Sequence, residues 1–288
     1  MHRFLFDNTD IRGEVVTLSD SYQQVLENND ALPARVQQLL GEFVAAVSLL
    51  SSTLKFDGIL TLQARGDGPV PLIMAECTHH KALRAIARPN PEVDFDALEE
   101  QDLKSLMGDG MLAIIIDPDK GERYQGIVPL DSDNLAGCLQ HYFDQSEQLP
   151  TRFWLTSNEQ AATGLMLQAL PQQLASVDEN QDHWSTAVQL ADTVKDEELL
   201  TLEHSEILYR LFHEEQIRLF EPAAVRFECS CSRARSANAL TSLGRAEVES
   251  LLAEQDVISI DCQFCNQTYA FGAQDLDSLF DDNEHSLH

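Results

Sequence analysis

Val257-Ile-Ser-Ile-Asp-Cys262-Gln-Phe-Cys265-Asn-Gln-Thr-Tyr-Ala-Phe271 alternates apolar and polar residues on either side of a short polar centre. That is the pattern of a β-hairpin whose turn carries two thiols. A second pair, Cys229-Ser-Cys231, stands about thirty residues earlier. Together Cys229, Cys231, Cys262 and Cys265 make a complete tetrahedral ligand set for one Zn²⁺, with no position left for water or substrate. A closed site of that kind holds a fold together rather than performing Lewis-acid chemistry. The same four sulfurs are also two candidate disulfides, and four thiols permit three pairings. The site is therefore either a fixed staple or a redox switch.

The surrounding tail, residues 226–288, reads as a small zinc-binding domain. Ser236 is placed to cap a short helix ending at Gly244, Ala246 to Gln255 forms another, and a last short helix runs from Ala273 to Phe280. With few large apolar side chains, a tail of this length lies near the size at which a core alone is marginal and a metal is commonly needed. Zinc binding to such a module is folding free energy, on the order of 10–16 kcal/mol in zinc-finger peptides. Oxidation removes the metal, because a sulfur in a disulfide offers no thiolate.

Residues 177–225, upstream, read as a helical amphipathic linker. Val177-Asp-Glu-Asn-Gln-Asp-His183 is polar and acidic, a boundary, and the pattern from Trp184 to Phe220 is helical throughout. Ser185 is placed to cap Thr186 to Val194, and Asp196 to cap the apolar segment beyond it. Leu199, Leu200, Leu202, Ile207, Leu208, Leu211 and Phe212 form a wide apolar stripe that needs a surface to cover.

Residues 1–176 predict an α+β core, a mainly antiparallel sheet layered with helices. Asp10 to Val16 reads as a strand with a turn or bulge at Gly13. After Pro33, Val36, Leu39, Leu40, Phe43, Val44, Val47 and Leu50 recur at helical spacing over about five turns. Gly58 to Ala64, Val70 to Cys77, Ala82 to Ala87, Met111 to Ile116 and Tyr124 to Pro129 read as strands, with links too short for crossover helices. Asp133 is placed to cap a helix from Asn134 to Gln145, and Arg152 to Thr156 returns as a strand.

The 288 residues include 48 acidic and 19 basic ones, a formal charge of −29. Nucleic acids and anionic membranes both select the opposite balance, whereas strong net charge favours solubility. The N-terminus lacks a signal-peptide pattern, and no apolar run approaches the roughly 20 residues that span a bilayer. The expected location is the cytoplasm, where thiols stay reduced and such cysteine clusters read as metal-binding or redox-active. There is no Ser/His/Asp, Walker or Rossmann signature, and Gly66-Asp-Gly68 and Gly108-Asp-Gly110 are turn signals. No enzymatic activity is expected.

The spacing Cys-x-Cys, then Cys-x-x-Cys, at the end of a chain of this length resembles the redox-regulated chaperones of the heat-shock protein 33 family, the 33 kDa chaperonins. Ile11-Arg-Gly-Glu14 is similar to that family's opening strand, and Thr163-Gly-Leu-Met-Leu-Gln-Ala-Leu-Pro171 to its Gly- and Gln-containing, Pro-terminated segment. The resemblance implies an ATP-independent holdase, inactive when reduced and zinc-bound. It also implies disulfides Cys229 with Cys231 and Cys262 with Cys265 on oxidation, zinc release and unfolding of the tail and linker. Unfolded proteins are then the partners, Leu199, Leu200, Leu208, Leu211 and Phe212 a client-binding surface, and the oxidised form a homodimer.

Other residues read more plainly. Cys77 and Cys138 lie in apolar surroundings as small buried hydrophobes, His79 and His80 read as surface or loop histidines, and His204 and His213 sit in the amphipathic segment where they could respond to pH. Two rivals are a thiol–disulfide oxidoreductase using Cys262 and Cys265, which would open a helix in a βαβ unit, and a zinc-ribbon regulator binding nucleic acid through Arg226, Arg233, Arg235 and Arg245.

Overall fold

The computed structural model describes residues 1–53, 57–99, 102–174 and 176–281. The chain forms two compact units, Met1–Glu228 and Cys229–His288. The first contains, in order, β1 (His2–Phe6), β2 (Ile11–Leu18), α1 (Asp20–Glu27), α2 (Ala34–Ser51), β3 (Gly58–Gly66), β4 (Leu72–Thr78), β5 (Ala82–Arg88), α3 (Leu103–Met107), β6 (Gly110–Pro118), β7 (Tyr124–Pro129) and α4 (Leu135–Tyr142). It continues with β8 (Thr151–Ser157), β9 (Ala162–Ala169), α5 (Val177–Ala191), α6 (Asp196–Thr201), α7 (His204–Phe212), β10 (Ile217–Leu219) and β11 (Arg226–Phe227). The second contains α8 (Arg233–Thr241), α9 (Arg245–Glu254), β12 (Val257–Asp261), β13 (Thr268–Gly272) and α10 (Leu276–Asp281).

The α+β class holds. One sheet has the order β10-β1-β2-β9-β8 and the other β11-β5-β4-β3-β6-β7. Neighbours are antiparallel except β11 with β5. The five strands read from the central sequence fall at β3 to β7, joined through short links. Helix α2 packs against strands of both sheets. Its buried residues extend beyond the apolar stripe to Ala45, Ala46, Ser48 and Ser51, as befits a helix enclosed on all sides. Pro33 immediately precedes it, its missing N–H costing nothing there.

The first sheet is covered on both faces. Val16, Leu18 and Met166 belong to the core around α2, while Phe4, Phe6, Ile11, Val15, Leu165 and Leu167 form a second core with α5, α6 and α7. Burial of both faces explains why β9 reads as a continuous run rather than an alternation.

Several local readings are corrected. Gly13 makes no turn or bulge: β2 stays in unbroken register with β1 and β9 through it. A Cβ there would sit 2.0 Å from Cζ of Phe4, so glycine lets that ring lie flat across the ladder. The cap of α4 is Asn134, whose side chain accepts from Gly137 N, not Asp133. The acidic stretch after Ser176 opens α5 through a reciprocal capping box, Glu179 N donating to Ser176 Oγ and Ser176 N to the Glu179 carboxylate, so Ser185 lies inside that helix rather than capping one. Finally, the segment to Phe220 is not helical throughout: Asp196 is the first residue of α6 rather than a cap, and β10 adds to the edge of β1.

The second unit is small. Its buried apolar residues are Leu240, Val248, Ile258, Phe271 and Leu279. Ser232, rather than Ser236, caps α8.

Candidate metal centre

The β12–β13 hairpin runs in register from Val257 opposite Gly272 to Asp261 opposite Thr268. Its closed end donates Cys262 N to Gln267 O at 2.9 Å and Asn266 N to Cys262 O at 2.8 Å. Asn266 takes a left-handed conformation, φ 55°, which asparagine tolerates better than most residues. The turn so formed presents Cys262 and Cys265 from one knuckle. Cys229 and Cys231 precede α8, and their sulfurs join the other two.

All four Sγ atoms lie within 4.8 Å of one another. Cys229 and Cys262 are 3.6 Å apart, and Cys231 and Cys265 3.4 Å. A tetrahedron with Zn–S bonds near 2.3 Å has S···S edges of about 3.8 Å, and a disulfide bond is about 2.05 Å long. The spacing fits ligands around one ion, and none of the six cysteines is in a disulfide. Both of these contacts join the Cys-x-Cys pair to the Cys-x-x-Cys pair, as expected when the two halves of a ligand set interleave.

Burial pushes the Cys265 thiol up, and the hydrogen-bonding cysteines around it add to this. The Tyr269 hydroxyl lies 3.2 Å from Cys231 Sγ, and that contact helps push its own pKa up to about 12. A divalent cation reverses the balance by favouring four thiolates. Tyr269 O–H then donates to one of them, an outer contact of the kind that orients metal ligands. The donor set suits zinc, and all four positions are filled by protein.

The rival uses of this region find less support. Cys262 and Cys265 sit in an antiparallel turn and do not open a helix. The arginines of the second unit are engaged: Arg233 donates to Ala270 O and Asp275, Arg235 to Ser230, and Arg245 to Glu249 and Asp277.

Of the five residues expected to form a client surface, Leu199, Leu208, Leu211 and Phe212 are buried together against the first sheet, whereas Leu200 is half-exposed. Cys77 and Cys138 are fully buried. His79 Nδ1 accepts from Gly58 N and its Nε2 pairs with Asp57. Two attachments escaped the sequence. His204, at the start of α7, lies 2.7 Å from His2 and 2.9 Å from Thr17, and the Asp10 carboxylate accepts from Gln173 N, Leu174 N and Asn180 Nδ2 of α5. Residues some 170 to 200 apart carry no local signal of such pairing. Among the described residues no helix is long and apolar enough to cross a membrane.

Comparison with known proteins agrees across the chain. The family model described as Hsp33 protein matches residues 1–272. The 33 kDa chaperonin of Ectopseudomonas mendocina (strain ymp) is 55% identical over 281 residues, covering 96% of this chain and 94% of the relative. That of Pseudomonas aeruginosa (strain LESB58) is 53% identical, covering 96% and 93%, and that of Shewanella sp. (strain W3-18-1) 47%, covering 99% and 97%. The fold matches the crystal structure of the Thermotoga maritima 33 kDa chaperonin with a TM-score of 0.81 at 22% identity, covering 98% of this chain and 99% of that one. On the whole-chain family match and these identities, the chain belongs to the Hsp33 family of chaperones.

Proposed function

We propose that this chaperone is an ATP-independent holdase switched on by oxidation of its four-cysteine site. The observation that carries the reading is the pairing of two features. Four clustered thiols with the spacing of a zinc site occupy a unit with a small core, and the segment that precedes that unit in sequence hides its apolar face on a sheet. In the reduced protein zinc binds Cys229, Cys231, Cys262 and Cys265, and the tail, residues 226–288, is folded. Two equivalents of hypochlorite convert the thiolates to two disulfides, Cys229 with Cys231 and Cys262 with Cys265. Each oxidation reduces one hypochlorite to chloride and water, and zinc leaves.

Such disulfides close very short loops and constrain the unfolded chain weakly, so the tail loses the metal's stabilisation with little in return. The linker, residues 177–225, then leaves the core, residues 1–176. It exposes Leu199, Leu208, Leu211 and Phe212, with Leu200 beside them, together with the sheet surface they cover. Contiguous apolar surface captures unfolding chains, and the −29 charge keeps the complexes dispersed. The active form is a homodimer, and the site of action is the cytoplasm.

The test is to treat reduced, zinc-loaded protein with hypochlorite and follow zinc release beside suppression of aggregation of a heat-labile client. Both rise together on this reading. Zinc loss without holdase activity would sink it.

A further inference from the structure

The first unit contains a cation that the chaperone reading does not use. Arg12, half-buried on β2, lies on the face of the sheet toward α2. Its Nε and Nη2 both donate to Gln168 Oε1, at 3.0 and 2.6 Å. Gln168 Nε2 donates in turn to Thr151 Oγ1 at 2.9 Å, and both partners are buried. The guanidinium is thus held rigidly by a neutral amide, and its Nη1 has no acceptor among the described residues. No carboxylate among them forms an ion pair with it either. Glu14, two residues along the strand, is pushed up to about 7 by burial and so carries only part of a charge near neutral pH. Burial of a cation without a counter-ion is costly, and burial depresses the pKa of Arg12.

This guanidinium lines a cavity of about 440 Å³ whose walls include Leu50, Leu60, Ile114, Phe143 and Leu170. The volume lies within the range of small-molecule sites, roughly 300–1,000 Å³. The acidic group at the cavity, Glu147, is exposed and accepts the hydroxyls of Tyr142 at 2.9 Å and Tyr124 at 3.4 Å. The arrangement is one fixed fork donor in a mostly apolar cleft whose other polar side chains are Thr53, Tyr142, Glu147 and Gln168. A fork of that shape matches one carboxylate, and a dianion would call for more donors than the cleft offers.

We propose that this cleft is a binding site for a small amphipathic monocarboxylate of the alkyl-carboxylate class, its headgroup on Arg12 and its chain along the apolar wall between α2 and β6. The site lies wholly within the first unit and does not depend on the state of the cysteines.

The test uses the reduced, full-length protein titrated by calorimetry with decanoate, and with decanol as the uncharged control. Decanoate saturates at one molecule per chain, and decanol binds at least about tenfold more weakly. Arg12→Gln loses at least about tenfold in decanoate affinity. Should that variant fail to fold, Gln168→Glu carries the test. It gives Arg12 an internal carboxylate, so the folded variant loses decanoate to a similar extent. Equal affinity for decanol, unchanged binding in Gln168→Glu, several molecules bound per chain, or no saturable binding would each overturn the proposal.

Discussion

Phe212 of α7 meets Phe6 of β1 edge to face, with ring centroids 5.0 Å apart and planes at 76°. Phe4 completes the cluster, 6.1 Å from Phe212. This seam joins the amphipathic segment to the sheet, and its strength sets how readily the segment leaves. Truncating it opens a cavity worth about 3–5 kcal/mol for a buried phenylalanine. Phe212→Ala is accordingly expected to make α7 protease-sensitive in the reduced protein while zinc content stays at one per chain. Partial holdase activity without oxidant should accompany it. Resistance equal to wild type would show that Phe212 does not hold the segment.

Gly13 tests the same seam from beneath. Any side chain there displaces the Phe4 ring, because a Cβ has no room above the ladder. Gly13→Val should lower the thermal midpoint and loosen α7 much as Phe212→Ala does. The two effects should not add fully, since they act on one cluster. Additivity measured by urea denaturation of the double variant would contradict a shared seam.

His204 supplies a pH dependence. Burial, the N-terminal ammonium and His2 lower its pKa from the ordinary 6.5 to about 4, and His2 is lowered too, mainly by burial. Glu203 and Glu221 also face His2. The fold favours neutral His204, so the unfolded chain binds the extra proton between pH 6.5 and 4. Stability from this group is complete above pH 6.5 and is lost as the pH falls toward 4, by up to about 3 kcal/mol. Glu14 and Glu42, both pushed up to about 7 by burial, act oppositely, losing stability as the pH rises from about 4.5 to 7. The informative quantity is therefore the difference from His204→Gln. Its urea midpoint should fall less than wild type between pH 7 and pH 5, and equal slopes would refute the assignment.

Removing one ligand should cost more than any of these. Cys265→Ser leaves three thiolates and a weak fourth donor, and most of the zinc contribution to a small core is lost. Amide exchange across β12 and β13 should then approach that of an unfolded chain, while α2 stays protected. Retained protection of the hairpin would mean that the second unit folds without its metal.

The four-cysteine cluster was legible because its signal is local: two short cysteine pairs and a hairpin pattern around one of them. The strands of the six-stranded sheet and α2 were legible for the same reason, each marked by its own period and its own Gly or Pro boundary. Reading failed where tertiary contacts decide. Ile217 to Leu219 continues a helical stripe but becomes β10, because the open edge of β1 offers it backbone partners. The Ser176 and Glu179 capping box was visible as a spacing, yet its acidic surroundings read as a boundary. Gly13 looked like punctuation because nothing nearby in sequence announces the ring of Phe4 above it. The contacts of His204 with His2 and of Arg12 with Gln168 join residues far apart in the chain, beyond the reach of any periodicity.

The central claim is that losing the metal releases the segment before it. Hydrogen–deuterium exchange of α7, followed beside zinc release during hypochlorite oxidation, tests it most directly. Protection at Ile207, Leu208, Leu211 and Phe212 should disappear in step with the zinc, with holdase activity rising on the same time course. Zinc release and unfolding of β12 and β13 with α7 still protected would contradict it.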